Sequence, residues 1–306
     1  VKAIVQTNYE GVSGLQIKDV NESILSPLTV RVENHYIPVL PYDWETEYGL
    51  LKEIRPVSLP IIVGYGFAGV VEETGVFRSK NLVGKKVIGA QPNGAAMEMI
   101  NSQIPPLLFE VPENVDLKDA VTLIGGADAA LNAVNVSNIV RGDVVLVTGA
   151  SGGVGTYLMQ LLHKKGAIIL ALTASSNIDF VREIGADFIL NYERDLADQL
   201  GNVPLPNKII DTVGKTTILD DISSSVAKLD ILSLSLTNYQ PKRNNQRFKF
   251  SHDSIGISGY KKLLQMLSRK ELSAYVQEIF SFEDVKKAHL KSKDEHSQGR
   301  ILLRFN

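Results

Sequence analysis

Five short apolar runs follow in quick succession from Asp143: DVVLVTG (143–149), AIILALT (167–173), FILNY (188–192), KIIDTVG (208–214) and LDILSLSL (229–236). Each is too short for a helix and too continuous for a strand with one wet face, so each reads as a strand buried on both faces. Helical patterns, VGTYLMQLLHKKG and NIDFVREIG, fill the first two gaps, the second closed by Gly185 as a C-capping residue. This alternation predicts an α/β fold with a parallel, doubly wound sheet.

The earlier part of the chain follows a different rhythm. TVRVENHYIPV (29–39), FAGVVEETG (67–75) and KKVIGA (85–90), separated by turn residues, read as strands of an antiparallel barrel or sandwich. VKAIVQTNYEG at the start reads as a strand and a turn, without the apolar core of a signal peptide. Pro105, Pro106 and Pro112 mark an extended crossing into LKDAVTLIGGADAALNAVNVSNI (117–139), mostly helical and interrupted at Gly125-Gly126. Beyond the apolar runs, QPKRNNQRFKFSHD (240–253) reads as an exposed basic loop. Helical patterns at 260–272 and 282–292 and a strand, GRILLRF (299–305), follow it.

Composition removes several function classes. A length of 306 residues suffices for two domains, and 44% hydrophobic with 22% charged residues is ordinary for a globular protein. The formal net charge of -2 supplies no basic field for nucleic acid. No window approaches the roughly 18 consecutive apolar residues of a membrane helix. Cysteine is absent, so disulfides, thiol nucleophiles and thiolate metal sites are absent too. The five histidines (His35, His163, His252, His289, His296) show no metal-ligand spacing, so no metal site is expected. A cytoplasmic location is the default expectation.

The motif with most chemistry in it is TGASGGVG, Thr148 to Gly155, which follows a buried strand and opens an amphipathic helix. In the G-x-G-x-x-G frame Ala150 stands in the first glycine's place, and Gly152 and Gly155 hold the second and third. Gly152 would admit a pyrophosphate to the backbone, Gly155 would let the helix approach the strand, and Ser151, Gly153 and Val154 complete the cradle. The plainer alternative is a structural glycine-rich turn. A dinucleotide carrying a free ribose 2′-hydroxyl calls for an acid about 20 residues after the glycines. Here the second strand ends Thr173-Ala174-Ser175-Ser176, with no acid before Asp179. Ser175 and Ser176 can instead meet a 2′-phosphate, which favours NADP(H), and Ser176 can also cap the following helix. The same octapeptide fits the TGxxxGxG of short-chain dehydrogenases, but no Tyr-x-x-x-Lys pair follows: Tyr260 leads to Leu264 and Tyr239 to Arg243.

Taken in order, several segments resemble the zinc-independent quinone oxidoreductase branch of the medium-chain dehydrogenases/reductases. PYDWETEYG (41–49) is similar to that family's Asn-Pro-x-Asp-Trp stretch, and LPIIVGYGFAGVVEETG (59–75) to its P-x-x-x-G-x-x-x-A-G-x-V block. VGKKVIG (83–89), GASGGVG (149–155), GADFILNY (185–192) and GRILL (299–303) match later landmarks. The resemblance implies a mainly β, GroES-like catalytic domain split between 1–117 and 260–306, around a Rossmann NADP-binding domain at 118–259. It also implies a cleft active site and a homodimer. Zinc-dependent relatives carry Gly-His-Glu where this chain has Gly64-Tyr65-Gly66. Three departures bear on activity: Leu40 replaces an asparagine and Ala129 a threonine, both nicotinamide contacts in relatives, and Glu47 replaces an arginine.

Without a metal, hydride transfer needs an electrophilic acceptor such as a quinone or α,β-unsaturated carbonyl, with hydrogen-bond donors for the developing charge. Tyr42 and Tyr65, on loops that the resemblance brings near the cleft, are the candidate donors. Asp43 is expected to hold its loop through backbone N–H groups and Trp44 to pack. Tyr192 matches a position flanking the adenosine phosphate in relatives, while Thr212 and Gly214 lie at the carboxyl edge of the sheet. His289 reads as a surface-helix residue without a catalytic role. Two alternatives stay open. An enoyl-thioester reductase would use Lys242, Arg243 and Arg247 as a basic mouth, and a non-catalytic NADP(H) sensor would account for Leu40 and Ala129.

Overall fold

A computed structural model describes residues 1–54, 56–102 and 108–305; Pro105 and Pro106 of the expected crossing lie outside the described residues. The chain forms two units. The first comprises Val1–Gly125, Gly256–Glu295 and Arg300–Asn306, and the second Gly126–Ile255 and His296–Gly299.

In the first unit, β1 (Lys2–Gln6) and β2 (Leu15–Asp19) form a hairpin; β3 (Val30–Pro38) and the short helix α1 (Pro41–Glu47) follow. Next come β4 (Ile61–Ile62), β5 (Gly66–Thr74), β6 (Lys86–Ala90), β7 (Met99–Ser102), β8 (Leu108–Glu110) and α2 (Leu117–Ala120). β4 joins β1, and β3, β5, β6 and β8 run antiparallel in that order with β7 beside β3. Alternation explains β3: Val30 and Val32 enter the core while Arg31 and Glu33 face outward. Asn34 is a buried exception whose amide N–H groups donate to the carbonyls of Ala95 (3.0 Å) and Met97 (2.9 Å), while its amide oxygen has no partner among the described residues.

The second unit opens with α3 (Ala127–Val136), β9 (Val144–Thr148), α4 (Gly155–Lys165), β10 (Ile168–Thr173), α5 (Ile178–Glu183) and β11 (Phe188–Asn191). It continues through α6 (Leu196–Leu200), β12 (Lys208–Asp211), α7 (Thr216–Ser225), β13 (Leu229–Ser233) and β14 (Gln246–Phe250). All six strands are parallel, ordered β11-β10-β9-β12-β13-β14. The five apolar runs are its first five strands, and Val145, Leu146 and Val147 of the central one are fully buried. The order reverses between β9 and β12, the switch point where ligands of open α/β sheets bind. Helix α4 ends at Gly166, in the left-handed region at φ 73°, after His163, Lys164 and Lys165 in the last turn.

The sixth strand corrects the sequence reading of 240–253 as a loop. β14 pairs parallel to β13 in the register Leu229↔Gln246. Its charged residues concealed a period of two: Arg247 and Lys249 are exposed, while Gln246 is buried and Phe248 packs edge-on to Tyr239, centroids 5.6 Å apart. Gln246 donates to the carbonyls of Ser223 (2.8 Å) and Val226 (2.6 Å).

The chain then re-enters the first unit with α8 (Gly256–Ser268), β15 (Val276–Ser281), α9 (Val285–Asp294) and β16 (Arg300–Arg304). β16 pairs antiparallel to β3 and parallel to β15, completing a seven-stranded sheet. Ile301, Leu303 and Phe305 thereby join Ile4, Val32 and Phe67 in one core. Among the described residues, no helix is long and apolar enough to cross a membrane.

Candidate functional site

The fingerprint loop sits at the carboxyl end of β9, held from several sides. The N–H of Gly152 donates to Gly149 (3.0 Å), that of Gly299 to Ser151 (2.7 Å), and the Asn177 amide to the Ser151 hydroxyl (2.9 Å). The parallel bridge between Gly152 and Gly299 turns the Gly153 N–H toward the Gly299 carbonyl, while among the described residues no acceptor meets the N–H groups of Val154 and Gly155 at the start of α4. The two motif glycines differ in what they permit. A Cβ on Gly155 would lie 2.2 Å from the Gly149 carbonyl oxygen and 2.6 Å from Ala150 backbone atoms. A Cβ on Gly152 would meet only the Gly149 oxygen, at 3.4 Å. Gly155 is thus required by packing. Gly152 is not, and its missing side chain leaves room beside free N–H groups at the positive end of a helix, a cradle that fits a pyrophosphate.

At the end of β10, Ser175 and Ser176 are exposed in a single 3-10 turn, Ser175–Asn177. Ser176 is not the cap: the N-cap of α5 is Asn177, whose side-chain amide is spent on Ser151 and on the Ser297 carbonyl (3.1 Å). The Ser175 hydroxyl donates to the Glu193 carboxylate, so the end of β10 is not free of acid. Tyr192, one residue before, bonds His296 through its hydroxyl at 3.0 Å; burial, then the Glu193 charge, pushes its pKa up.

Thr212 and Gly214 follow β12 and are organised by Asp211, a buried residue that the sequence reading did not single out. Asp211 accepts from the hydroxyls of Thr148 (2.6 Å) and Ser233 (2.7 Å) and from the N–H groups of Val213 and Gly214 (3.2 Å each). The Thr212 hydroxyl donates to the Thr148 carbonyl at 2.8 Å, lacing this turn to the fingerprint strand.

In the first unit Tyr42 lies on helix α1, not on a loop as expected, and Tyr65 on the bend before β5. Among the described residues, Tyr42 lines a cavity of about 470 Å³ with Gln6, Thr46, Ile62 and Asn93, and Tyr65 does not. Asp43 accepts from the Leu40 N–H at 2.8 Å, the backbone role expected of it. Leu40 is buried, packed against Gly125, and presents no polar group.

The expectation for His289 is overturned. It is buried, as is Glu47 of α1, and its Nδ1 lies 2.7 Å from the Glu47 carboxylate. The departure from arginine at position 47 therefore places a carboxylate against a histidine on α9. Burial disfavours the imidazolium, but the Glu47 hydrogen bond and the charges of Glu47 and Asp43 outweigh it and leave the His289 pKa raised. Burial lifts Asp43 from 3.8 to about 6, against the opposing pull of His289 and the Leu40 N–H.

These shifts predict a pH profile. A carboxyl that holds its proton more tightly when folded contributes most below its unfolded pKa, and that contribution fades as pH rises through the folded value. Between pH 3.8 and about 6 Asp43 should withdraw about 3 kcal/mol of stability. His289 acts in the same direction higher up, its contribution being lost as pH rises through its elevated pKa. Urea unfolding from pH 4 to 7 should therefore show a flatter profile in Asp43→Asn than in the unsubstituted protein; parallel profiles would reject the assignment.

Lys242, Arg243 and Arg247 do not form an open basic mouth. Lys242 pairs with Asp220 (3.0 Å), Arg247 with Asp230 (2.8 Å), and Arg243 donates to the Ser224 carbonyl. Among the described residues, no three His, Asp or Glu side chains are grouped as metal ligands would be.

No protein-family profile matches the sequence. Medium chain reductase pydE of Acremonium sp is 25% identical over 64% of this chain, which spans 61% of that protein. Quinone oxidoreductase-like protein 2 of Mus musculus is 27% identical over 94% of this chain and 88% of its own length. The fold matches that of the quinone oxidoreductase from Coxiella burnetii with a TM-score of 0.88 at 24% identity, covering 100% of this chain and 99% of that one. With one unit a doubly wound sheet and the other mainly antiparallel, these homologues and structural neighbours place the chain in the medium-chain dehydrogenase/reductase superfamily, in its quinone oxidoreductase branch.

Proposed function

We propose that the second unit binds a nicotinamide dinucleotide and that the protein uses it, without zinc, to reduce a quinone or α,β-unsaturated carbonyl. The observation that carries this is the start of α4, where the N–H groups of Val154 and Gly155, without an acceptor among the described residues, adjoin the open space over Gly152. When bound, a reduced nicotinamide supplies a hydride. The chain's own residues do the rest. The N–H groups of Val154 and Gly155 hold the pyrophosphate, Ala150, Ser151 and Gly153 shape the loop, and Thr212 and Gly214 border it on the β12 side. In the first unit Tyr42 and Tyr65 are the candidate donors to the oxygen on which negative charge develops. The absence of cysteine argues against a zinc centre with thiolate ligands. Relatives named for quinones support the acceptor class. The outer edge of β14 would pair the sheets of a homodimer. For the cofactor, the serines after β10 speak for NADP(H) and Glu193 speaks against it.

The test separates binding from folding. Gly152→Ala should change stability by less than about 1 kcal/mol, since its Cβ meets only the Gly149 oxygen, at an ordinary contact distance of 3.4 Å. It should weaken dinucleotide binding roughly tenfold or more by filling the cradle. Calorimetric titration of both proteins, followed at 340 nm with 1,4-benzoquinone, 9,10-phenanthrenequinone and an alkyl enone, checks both halves. No binding to the unsubstituted protein overturns the reading. Binding without oxidation supports the sensor, which the apolar Leu40 and Ala129 favour; saturable oxidation rejects it.

A further inference from the structure

The carboxyl edge of the parallel sheet carries an acid that a search along β10 alone misses. β10 and β11 run parallel in the register Thr173↔Asn191, so the residues two further along each strand, Ser175 and Glu193, stand side by side. The Ser175 hydroxyl donates to one oxygen of the Glu193 carboxylate, and the Ser175 N–H approaches the other at 3.4 Å. Asn191 steadies the turn by accepting from the Glu193 N–H at 2.8 Å. The Glu193 side chain is exposed and open to a ligand. The fingerprint loop is fastened to this edge, through Asn177 to the Ser151 hydroxyl at 2.9 Å.

A dinucleotide whose pyrophosphate lies at the start of α4 extends its adenosine ribose over the end of β10. A carboxylate there accepts from the ribose hydroxyls, and in the common arrangement it is supplied by the second strand itself. Here that strand offers Ala174 and Ser175, and the carboxylate comes across from the neighbouring strand. A 2′-phosphate brought to the same place meets like charge. Of the cationic groups nearby, His296 is bonded to the Tyr192 hydroxyl and also acts on the Glu193 charge, the Lys215 ammonium lies 5.7 Å from the Tyr192 ring centroid, and exposed Arg194 follows Glu193 in the chain.

We propose that Glu193 reads the adenosine ribose and that this chain takes NADH in preference to NADPH. The inference rests on the nucleotide reading of the second unit and reverses the preference that the serine pair suggested. Ser175 is then the anchor that holds the carboxylate in place, not a phosphate ligand.

The experiment is calorimetric titration of the apo full-length chain with NADH and NADPH, and with 5′-AMP and adenosine 2′,5′-bisphosphate as adenosine-end probes. The unsubstituted protein should bind the unphosphorylated member of each pair roughly tenfold or more tightly. Glu193→Gln should shrink or invert that ratio, and Ser175→Ala should move it the same way by less. Both positions are exposed, and matching thermal unfolding curves would show that the variants fold. An NADPH preference in the unsubstituted protein, or a ratio that Glu193→Gln leaves unchanged, overturns this inference alone. Binding of neither dinucleotide overturns the nucleotide site and the inference with it.

Discussion

Gly155→Ala should destabilise the protein by about 4 kcal/mol, toward the upper end of what a single overpacked methyl group costs. The new Cβ would lie 2.2 Å from the Gly149 carbonyl oxygen and 2.6 Å from Ala150, and both obstacles are backbone. No side chain can swing aside, so α4 must move off β9, and Tyr157 and Leu158, both buried, move with it. Dinucleotide binding should be lost as well, because the N–H groups at the start of α4 move with the helix. Urea unfolding checks the first statement and calorimetry the second. Set beside Gly152→Ala, the result separates a glycine needed for packing from one needed for a ligand. Equal stability losses at the two positions would contradict the geometry.

His289→Ala should cost about 3–5 kcal/mol at pH 7, through the charge it leaves behind more than through the contact it removes. Glu47 is buried beside Asp43, also buried, and without the imidazole two carboxyl groups share the site with Arg300 as the opposing charge among the described residues. Arg300 is already committed to the carbonyls of Val39 and Gly125. The double variant Glu47→Leu/His289→Leu should recover most of the loss, since a buried ion pair replaced by apolar groups is often neutral. Thermal and urea unfolding of Glu47→Leu, His289→Leu and the double variant give a cycle. Purely additive losses would mean that the pair is not coupled.

The parallel sheet was legible because strands buried on both faces leave continuous apolar runs, and five of its six strands are such runs. β14 was not, because an edge strand spends alternate positions on Arg247 and Lys249, and charge hid the period. His289 looked exposed in KKAHLKS, yet a signal was there. Val285, Ala288 and His289 are spaced three and four apart, the buried face of α9. Its partner Glu47 lies far away in sequence, and only the packing of α9 on α1 joins them. Glu193 was missed for a related reason. The usual spacing rule follows one strand from the glycines, while its nearness to Ser175 is a matter of register between two strands.

The placement of β16 has a consequence for how the chain is made. The edge of β3 is shared: β7 covers Val30 to Glu33, and β16 covers Tyr36 to Pro38. Ile37 pairs with Leu303, so this part of the edge stays open while the chain from Ile37 to Leu303, with the whole second unit, is synthesised, roughly 10–50 s at ordinary ribosomal rates. The second unit needs only His296–Gly299 from beyond Ile255, and its strands can pair as they emerge. Assembly is therefore ordered against the direction of the chain, with the later-made parallel sheet closing before the earlier-made one. Throughout that interval a growing polypeptide carries an unpaired strand edge, the kind of surface that chaperones shield and that crowded neighbours join.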